Sequence, residues 1–394
     1  MRVLMLNNEF PPLGGGTGTV NQAILERLAL VPALEIDLIT SAMGRQFEQV
    51  PFAERIRLFK VPVVNRNIHH SSNRELLTYG ARALPLALRL HRQRAYDFCF
   101  AWSALPAGAI ALALRRFAGL RYLLRVCGPD IPGFERRYGW LYPALTPLIR
   151  AAWHGSAMVI AKCEREADMI RAVDRRVPVT LVPNGVDDTA FQPGPPVPDD
   201  GPLRLLCVAR LIERKGQQHL IEALRRLTAD GLAVTLELVG TGDAQAANEV
   251  QAKEAGIADR IHFAGYVPRE QIAARYAAAH VFVLASYNEG MSVATLEAMA
   301  AGLPLVVTRT AGTAELVAED VNGFTFDWAD VDALTAHLRR LATNRALVRR
   351  MGAASRVRAA GFTWDNAADE FRSLFDRMTS RSPETERVAR LSLS

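Results

Sequence analysis

Short apolar runs alternate along the chain with longer stretches whose apolar positions recur at helical spacing. In the first half, the runs 2–7, 36–40, 56–61, 98–101, 121–125 and 157–161 read as buried strands, and 19–30, 76–92, 107–116 and 141–154 read as helices. In the second half, strands are expected at 203–208, 235–239, 261–263, 280–285 and 305–307. Helices are expected from 217 and at 292–301, 330–343, 345–360 and 364–378. Strand–helix alternation predicts a parallel sheet with helices on both faces, an α/β fold, and here it occurs twice. Between the halves, 191–202 is dense in proline and polar residues. The expected organisation is a domain over 1–185, a linker over 186–202, a second domain over 203–363, a C-terminal helix over 364–378 packing back on the first domain, and a disordered tail over 379–394.

The stretch 286–304 concentrates the chemistry. Ser292 suits a helix N-cap, Gly302 the C′ position, and Pro304 bars continuation, so a helix is expected between two buried strands. Its N-terminus, at the carboxyl edge of a parallel sheet, suits an anion. Glu289 precedes that terminus and Glu297 lies on the helix. Carboxylates accept hydrogen bonds from hydroxyls, so a ligand with both phosphates and sugar hydroxyls accounts for acids beside an anion site. The competing reading makes Glu289 a charge at the helix dipole and Glu297 a solvated residue. Glu297 stands amid Ala and Leu, however, where a solvent face would carry more charge.

Other loops point to the same edge. Arg210 and Lys215 leave a strand as a forked donor and a point cation, a set suited to pyrophosphate, although ordinary surface bases are the alternative. The loops 240–243, with Gly240 and Gly242, and 264–268 follow strands as well. In the first half Gly14, Gly15 and Gly16 follow the first strand and allow close approach of an oxyanion, or form a bare structural loop. A dinucleotide fingerprint fails there, because position 19 is Thr and two prolines separate the glycines from the strand. The loop 127–133 adds Asp130 as a candidate, or as a routine turn residue.

With 394 residues, 49% hydrophobic and 22% charged, the chain has material for two cores. The net charge of +6 is uneven: residues 1–185 hold 24 Lys+Arg against 14 Asp+Glu, the remainder 23 against 27. The stretch 82–94 sets Arg82, Arg89, Arg92 and Arg94 among leucines, either as a solvated face or as one that rests on anionic lipid. No nucleic-acid-binding module accompanies the charge. The apolar run at the N-terminus is too short for a signal peptide, so the expected compartment is the cytoplasm. The four cysteines lack metal-ligand spacing, Lys215-Gly216 reverses the order of a P-loop, and His69, His70 and His154 read as structural.

Taken jointly, Arg210 with Lys215-Gly216, Gly240-Thr241-Gly242, Gly265-Tyr266-Val267, Glu289 paired with Glu297, Ala311-Gly312 through Glu315, and Pro183-Asn184-Gly185-Val186-Asp187 resemble the retaining glycosyltransferases of family 4. That resemblance implies two Rossmann-like domains facing each other across a cleft (GT-B), with the first binding acceptor and the second the nucleotide sugar. No metal and no cofactor beyond the donor would be needed. Glu289, Arg210 and Lys215 would be catalytic, with Glu289 on the donor sugar and the two cations on the diphosphate. Gly15, Gly16, Gly240, Gly242, Val267, Gly290, Met291, Ser292 and Glu297 would bind the donor: the backbone near Val267 would meet the base, and Glu297 the ribose. Cys127 and Asp130 would lie on the acceptor side. Cys127 stands where many relatives carry His, and Ser292 replaces a usual glycine.

The implied reaction moves a sugar to a glycan, lipid-linked glycan or small molecule in envelope polysaccharide synthesis; peripheral contact to an anionic membrane at its inner face is the reading that the arginine face of 82–94 adds if it is not simply solvated. The alternatives are a nucleotide-sugar-binding protein without catalysis and a nucleotide-sugar epimerase of the same architecture.

Overall fold

The structure is a computed structural model. It describes residues 1–64 and 71–380, with Arg137 through its backbone alone. His69, His70 and the tail beyond 380 lie outside the described residues.

Two compact units form, one from Met1–Pro183 together with the last helix, the other from Asn184–Thr363. In the first, strands β1 (Arg2–Leu6), β2 (Glu35–Ala42), β3 (Glu48–Ala53), β4 (Ile56–Pro62), β5 (Phe98–Trp102), β6 (Tyr122–Arg125), β7 (Met158–Ala161) and β8 (Val179–Leu181) make one sheet in the order β3-β4-β2-β1-β5-β6-β7-β8. All pairs are parallel except β3 with β4. The sequence pattern did not predict β3: it carries Pro51 and lies largely exposed, which suits an edge strand. Helices α1 (Gly16–Leu28), α2 (Asn73–Arg94), α3 (Ala109–Ala118), α4 (Tyr142–Gly155) and α5 (Glu164–Val173) connect the strands. Neither α5 nor β8 was expected. Ser72 opens α2 with a reciprocal capping box to Glu75. Of the arginines expected on its face, Arg82, Arg89 and Arg92 are exposed, whereas Arg94 turns to Glu35 and Asp37.

The second unit holds β9 (Leu203–Val208), β10 (Val234–Val239), β11 (Ile261–Gly265), β12 (Val281–Leu284), β13 (Leu305–Thr308) and β14 (Gly323–Phe326). Its helices are α6 (Gln217–Ala229), α7 (Gln245–Glu254), α8 (Arg269–Ala278), α9 (Val293–Ala300), α10 (Thr313–Leu316), α11 (Val331–Ala342) and α12 (Arg345–Ala359). The strand order is β11-β10-β9-β12-β13-β14, parallel throughout. The residues of β12 and β13 are buried on both faces, as a continuous apolar run requires.

Residues 186–202, expected as a linker, pack as part of this unit. Val186 pairs with Thr363, the Phe191 ring meets Tyr276 edge-on at 5.4 Å, and Arg356 donates to the carbonyls of Asp188 and Phe191 at 3.0 and 2.9 Å. A proline-rich composition thus describes an extended path, and Phe191 supplies the anchor that fastens it.

Helix α13 (Trp364–Ser380) completes the first unit. Its buried face includes Phe371, Leu374, Phe375 and Met378. Phe371 and Phe375 pack on Phe100 at centroid distances of 5.4 and 5.5 Å. The fully buried Arg125 lies over both the Trp102 and the Phe371 rings at 5.2 Å, and burial lowers its guanidinium to about 10.

Candidate active site

Strands β9 and β12 are neighbours at the centre of the second sheet, yet the chain visits β10 and β11 between them. Their carboxyl ends meet where the strand order reverses, the place where open α/β sheets take ligands. The loop after β9 brings Arg210 and Lys215, and the loop after β12 brings Glu289 to Ser292. Tyr287 N donates to Arg214 O at 2.7 Å across the two loops. Gly216, at φ +72°, sits so close that a Cβ would meet Ala285 O at 2.0 Å. That approach delivers Lys215 Nζ to Glu289 Oε1 as an ion pair, with side chains 15% and 18% exposed. Burial by itself would raise the Glu289 carboxyl. The charge and hydrogen bond of Lys215 outweigh it and hold the group below the ordinary carboxylate range.

Ser292 caps α9, its Oγ accepting from Thr295 N at 3.2 Å. The amides before that residue in the first turn have no partner within the helix. A concavity beside them is lined by Glu289, Gly290, Ser292, Thr310, Gly312 and Thr313. Its far wall is the loop after β13: Ala311 N donates to Glu289 O at 3.1 Å, and a Cβ on Gly312 would meet Gly290 O at 2.1 Å.

Glu297 is half-buried, as its apolar neighbours suggested. Burial raises its carboxyl to about 7, although Tyr276 donates its hydroxyl to Oε2 at 2.7 Å and favours the ionised form. Tyr276 was not among the expected site residues; an aromatic on a helix reads as core, and only its contact to Glu297 reveals a second task.

Gly240 and Gly242 serve the site through the backbone. A Cβ on either would meet Ala209 O at 2.1 Å or Leu211 O at 2.2 Å, and Leu211 N donates to Thr241 O at 2.9 Å. The glycines let the two loops lie against each other on either side of Arg210. Val267 is half-buried between Gly265 and Pro268, the residue that caps α8.

In the first unit Gly15 is the N-cap of α1 and Gly16 its first residue, so the helix begins before the expected position 19. A Cβ on Gly15 or Gly16 would meet nothing within 4 Å, so the fold's own packing does not demand glycine there. Asp130 is buried and spends both oxygens on backbone: Oδ2 accepts from Ala104 N at 2.6 Å and Oδ1 from Cys127 N at 2.7 Å. It clamps the loops after β5 and β6 to each other. Burial raises its carboxyl above the ordinary range, and burial with the nearby Asp130 pushes the Cys127 thiol up to about 12, so Cys127 stays protonated at neutral pH. Beside this loop Lys162 pairs with Glu166 at 2.7 Å and donates to Val126 O at 3.1 Å. That buried i,i+4 pair escaped the sequence reading, although its spacing was available as a signal. Among the described residues no three His, Cys, Asp or Glu side chains gather as a metal cage would need, and no helix is long and apolar enough to cross a membrane.

Two Rossmann-like units, with paired glutamates and a lysine at the switch point of the second, define a glycosyltransferase of the GT-B class. Residues 188–358 match the model for glycosyl transferases group 1, and residues 15–185 match that for the glycosyl transferase 4-like domain. The chain belongs to the family 4 glycosyltransferases.

It is 24% identical over 382 residues, 90% of this chain and 92% of the relative, to the GDP-mannose-dependent alpha-(1-6)-phosphatidylinositol monomannoside mannosyltransferase of Mycolicibacterium smegmatis. Over 160 residues, 39% of each chain, it is 35% identical to the putative colanic acid biosynthesis glycosyltransferase WcaL of Escherichia coli. Among solved structures it is similar to sucrose-phosphate synthase of Thermosynechococcus elongatus, with a TM-score of 0.85, 21% identity and coverage of 97% and 100% of the two chains. Anabaena Alr3699/HepE in complex with UDP-glucose gives a TM-score of 0.74 at 18% identity, over 96% and 100%.

Proposed function

We propose that this glycosyltransferase takes a sugar from a nucleotide diphosphate sugar and passes it, with retention and without a metal or resident cofactor, to a glycan, lipid-linked glycan or small-molecule acceptor of envelope polysaccharide synthesis. The observation that carries this reading is the Lys215–Glu289 ion pair at the start of α9. Glu289, kept ionised, accepts hydroxyls of the donor sugar. Lys215, Arg210 and the first amides of α9 take the charge that grows on the diphosphate as it leaves, each such donor contributing about 3 kcal/mol. The bond from the anomeric carbon to the phosphate oxygen breaks on the face where the acceptor oxygen bonds, and the acceptor proton passes to that phosphate oxygen. Glu297 accepts from the ribose, the base lies along the backbone at Val267, and the first unit takes the acceptor. A lipid acceptor is supported by the mycobacterial relative, whose name specifies a phosphatidylinositol mannoside.

The test is turnover with a panel of nucleotide sugars and lipid-linked acceptors, with the anomeric configuration of the product read by NMR and EDTA present in a parallel series. Retained configuration and indifference to EDTA are expected. Binding without turnover would leave a nucleotide-sugar-binding protein, and donor-derived product without acceptor would point to an epimerase. We further assign the exposed Arg82, Arg89 and Arg92 to an anionic membrane at its cytoplasmic face, each worth about 1 kcal/mol there. Sedimentation with anionic vesicles, reversed by salt, is the expected outcome; no pelleting would sink this docking.

A further inference from the structure

Asn184, the first residue of the second unit, is 4% exposed. Its Nδ2 donates to Met291 O at 2.8 Å, and its backbone N–H lies 3.3 Å from Met291 Sδ. Met291 is equally buried. The peptide between Met291 and Ser292 is trans, and in a trans peptide the carbonyl and the following N–H point in opposite directions. A carbonyl drawn to Asn184 therefore turns the Ser292 N–H away from Asn184. Neither Asn184 nor Met291 lines the concavity, whereas Gly290 and Ser292 on either side do. The Ser292 hydroxyl oxygen accepts from Thr295 N, which holds the side chain in its capping position; the residue offers a ligand its amide and, beside it, the hydroxyl proton.

We propose that Asn184 is a positioning residue: by holding the Met291 carbonyl, it aims the Ser292 amide at an oxygen of the phosphate that departs with the nucleotide. This rests on the donor reading above. It requires a side chain that donates. An Asp of the same shape would set a carboxylate oxygen against the Met291 carbonyl, and the peptide would turn.

The test is calorimetric titration of GDP against GMP, and UDP against UMP, into the full chain and its Asn184→Asp and Asn184→Ala variants. Both variants should bind the diphosphate about tenfold more weakly, the worth of one hydrogen bond to a charged group, with monophosphate affinity within about twofold of the unaltered chain. Equal loss of both ligands, or no loss, would overturn the inference. Failure of the unaltered chain to bind any of the four would instead overturn the donor reading. Amide NMR of the unaltered chain is a check that needs no variant: the Ser292 resonance should move with the diphosphate that binds and not with its monophosphate. A Ser292 amide that ignores the diphosphate sinks the proposal.

Discussion

Lys215 and Glu289 stand 74 residues apart in the chain and meet as an ion pair at the head of α9. Each neutralises the other in a largely enclosed setting, so either one left alone is a charge without its counterpart. Lys215→Met and Glu289→Gln should each lower stability by about 2 kcal/mol in urea unfolding, and the double variant should recover about 1 kcal/mol or more of the summed loss. Transfer activity should be lost in all three, because the proposed reaction uses both groups on the donor. Strict additivity of the two stability losses would mean the pair carries no coupling.

Glu297 should make nucleotide binding depend on pH. Its carboxyl lies at about 7 against an ordinary 4.5, and only the ionised form accepts freely from ribose hydroxyls. Affinity should therefore rise as pH increases through 7, and Glu297→Gln should flatten the profile. Stability should move the other way. Between pH 4.5 and 7 the folded chain holds a proton that the unfolded chain has released, so stability falls across that window by up to about 3 kcal/mol. Glu297→Gln should remove that slope, as read by melting temperature against pH.

Tyr276→Phe keeps the ring against Phe191 and deletes the hydroxyl that favours the ionised form of Glu297. The pH midpoint of nucleotide binding should move upward, and affinity at pH 7 should fall about threefold to tenfold. An unmoved midpoint would show that the hydroxyl has no hold on Glu297.

Gly312→Ala places a methyl 2.1 Å from Gly290 O. The loop carrying Glu289 must shift to admit it, at a cost of about 1–3 kcal/mol. Activity should fall more steeply than the melting temperature implies, since the displaced backbone is the wall of the concavity. A melting temperature and kcat both unchanged would show that the two loops yield freely.

Phe371→Ala removes a fully buried ring that touches Phe100, Trp102 and Arg125. A loss of about 3–5 kcal/mol is expected in the first unit, with diphosphate affinity in the second preserved. Proteolysis followed by mass mapping would separate the two.

The segment from β12 to β13 was legible because each boundary has a local cause: Ser292 caps, Gly302 adopts φ +71°, and Pro304 forbids a further turn. Glu297 stood out among alanines for a similar reason. What escaped depends on distant partners. Nothing around Asn184 in the chain announces the Met291 carbonyl, and nothing around Tyr276 announces a carboxylate. Strand β3 escaped because an exposed edge with a proline has no apolar rhythm. Asp130 was noticed for its loop, but its work, holding Ala104 and Cys127 amides, is visible only when the loops after β5 and β6 meet.

The position of α13 sets an order of events during synthesis. The first unit needs its last helix to cover Phe100 and Trp102, and the ribosome delivers that helix after the whole second unit has been made. The second unit is therefore able to fold first, and the half that begins the chain waits to be finished. A nascent chain stalled short of residue 364 would carry a complete second unit and, in the first, an exposed aromatic face, a species for chaperones to recognise.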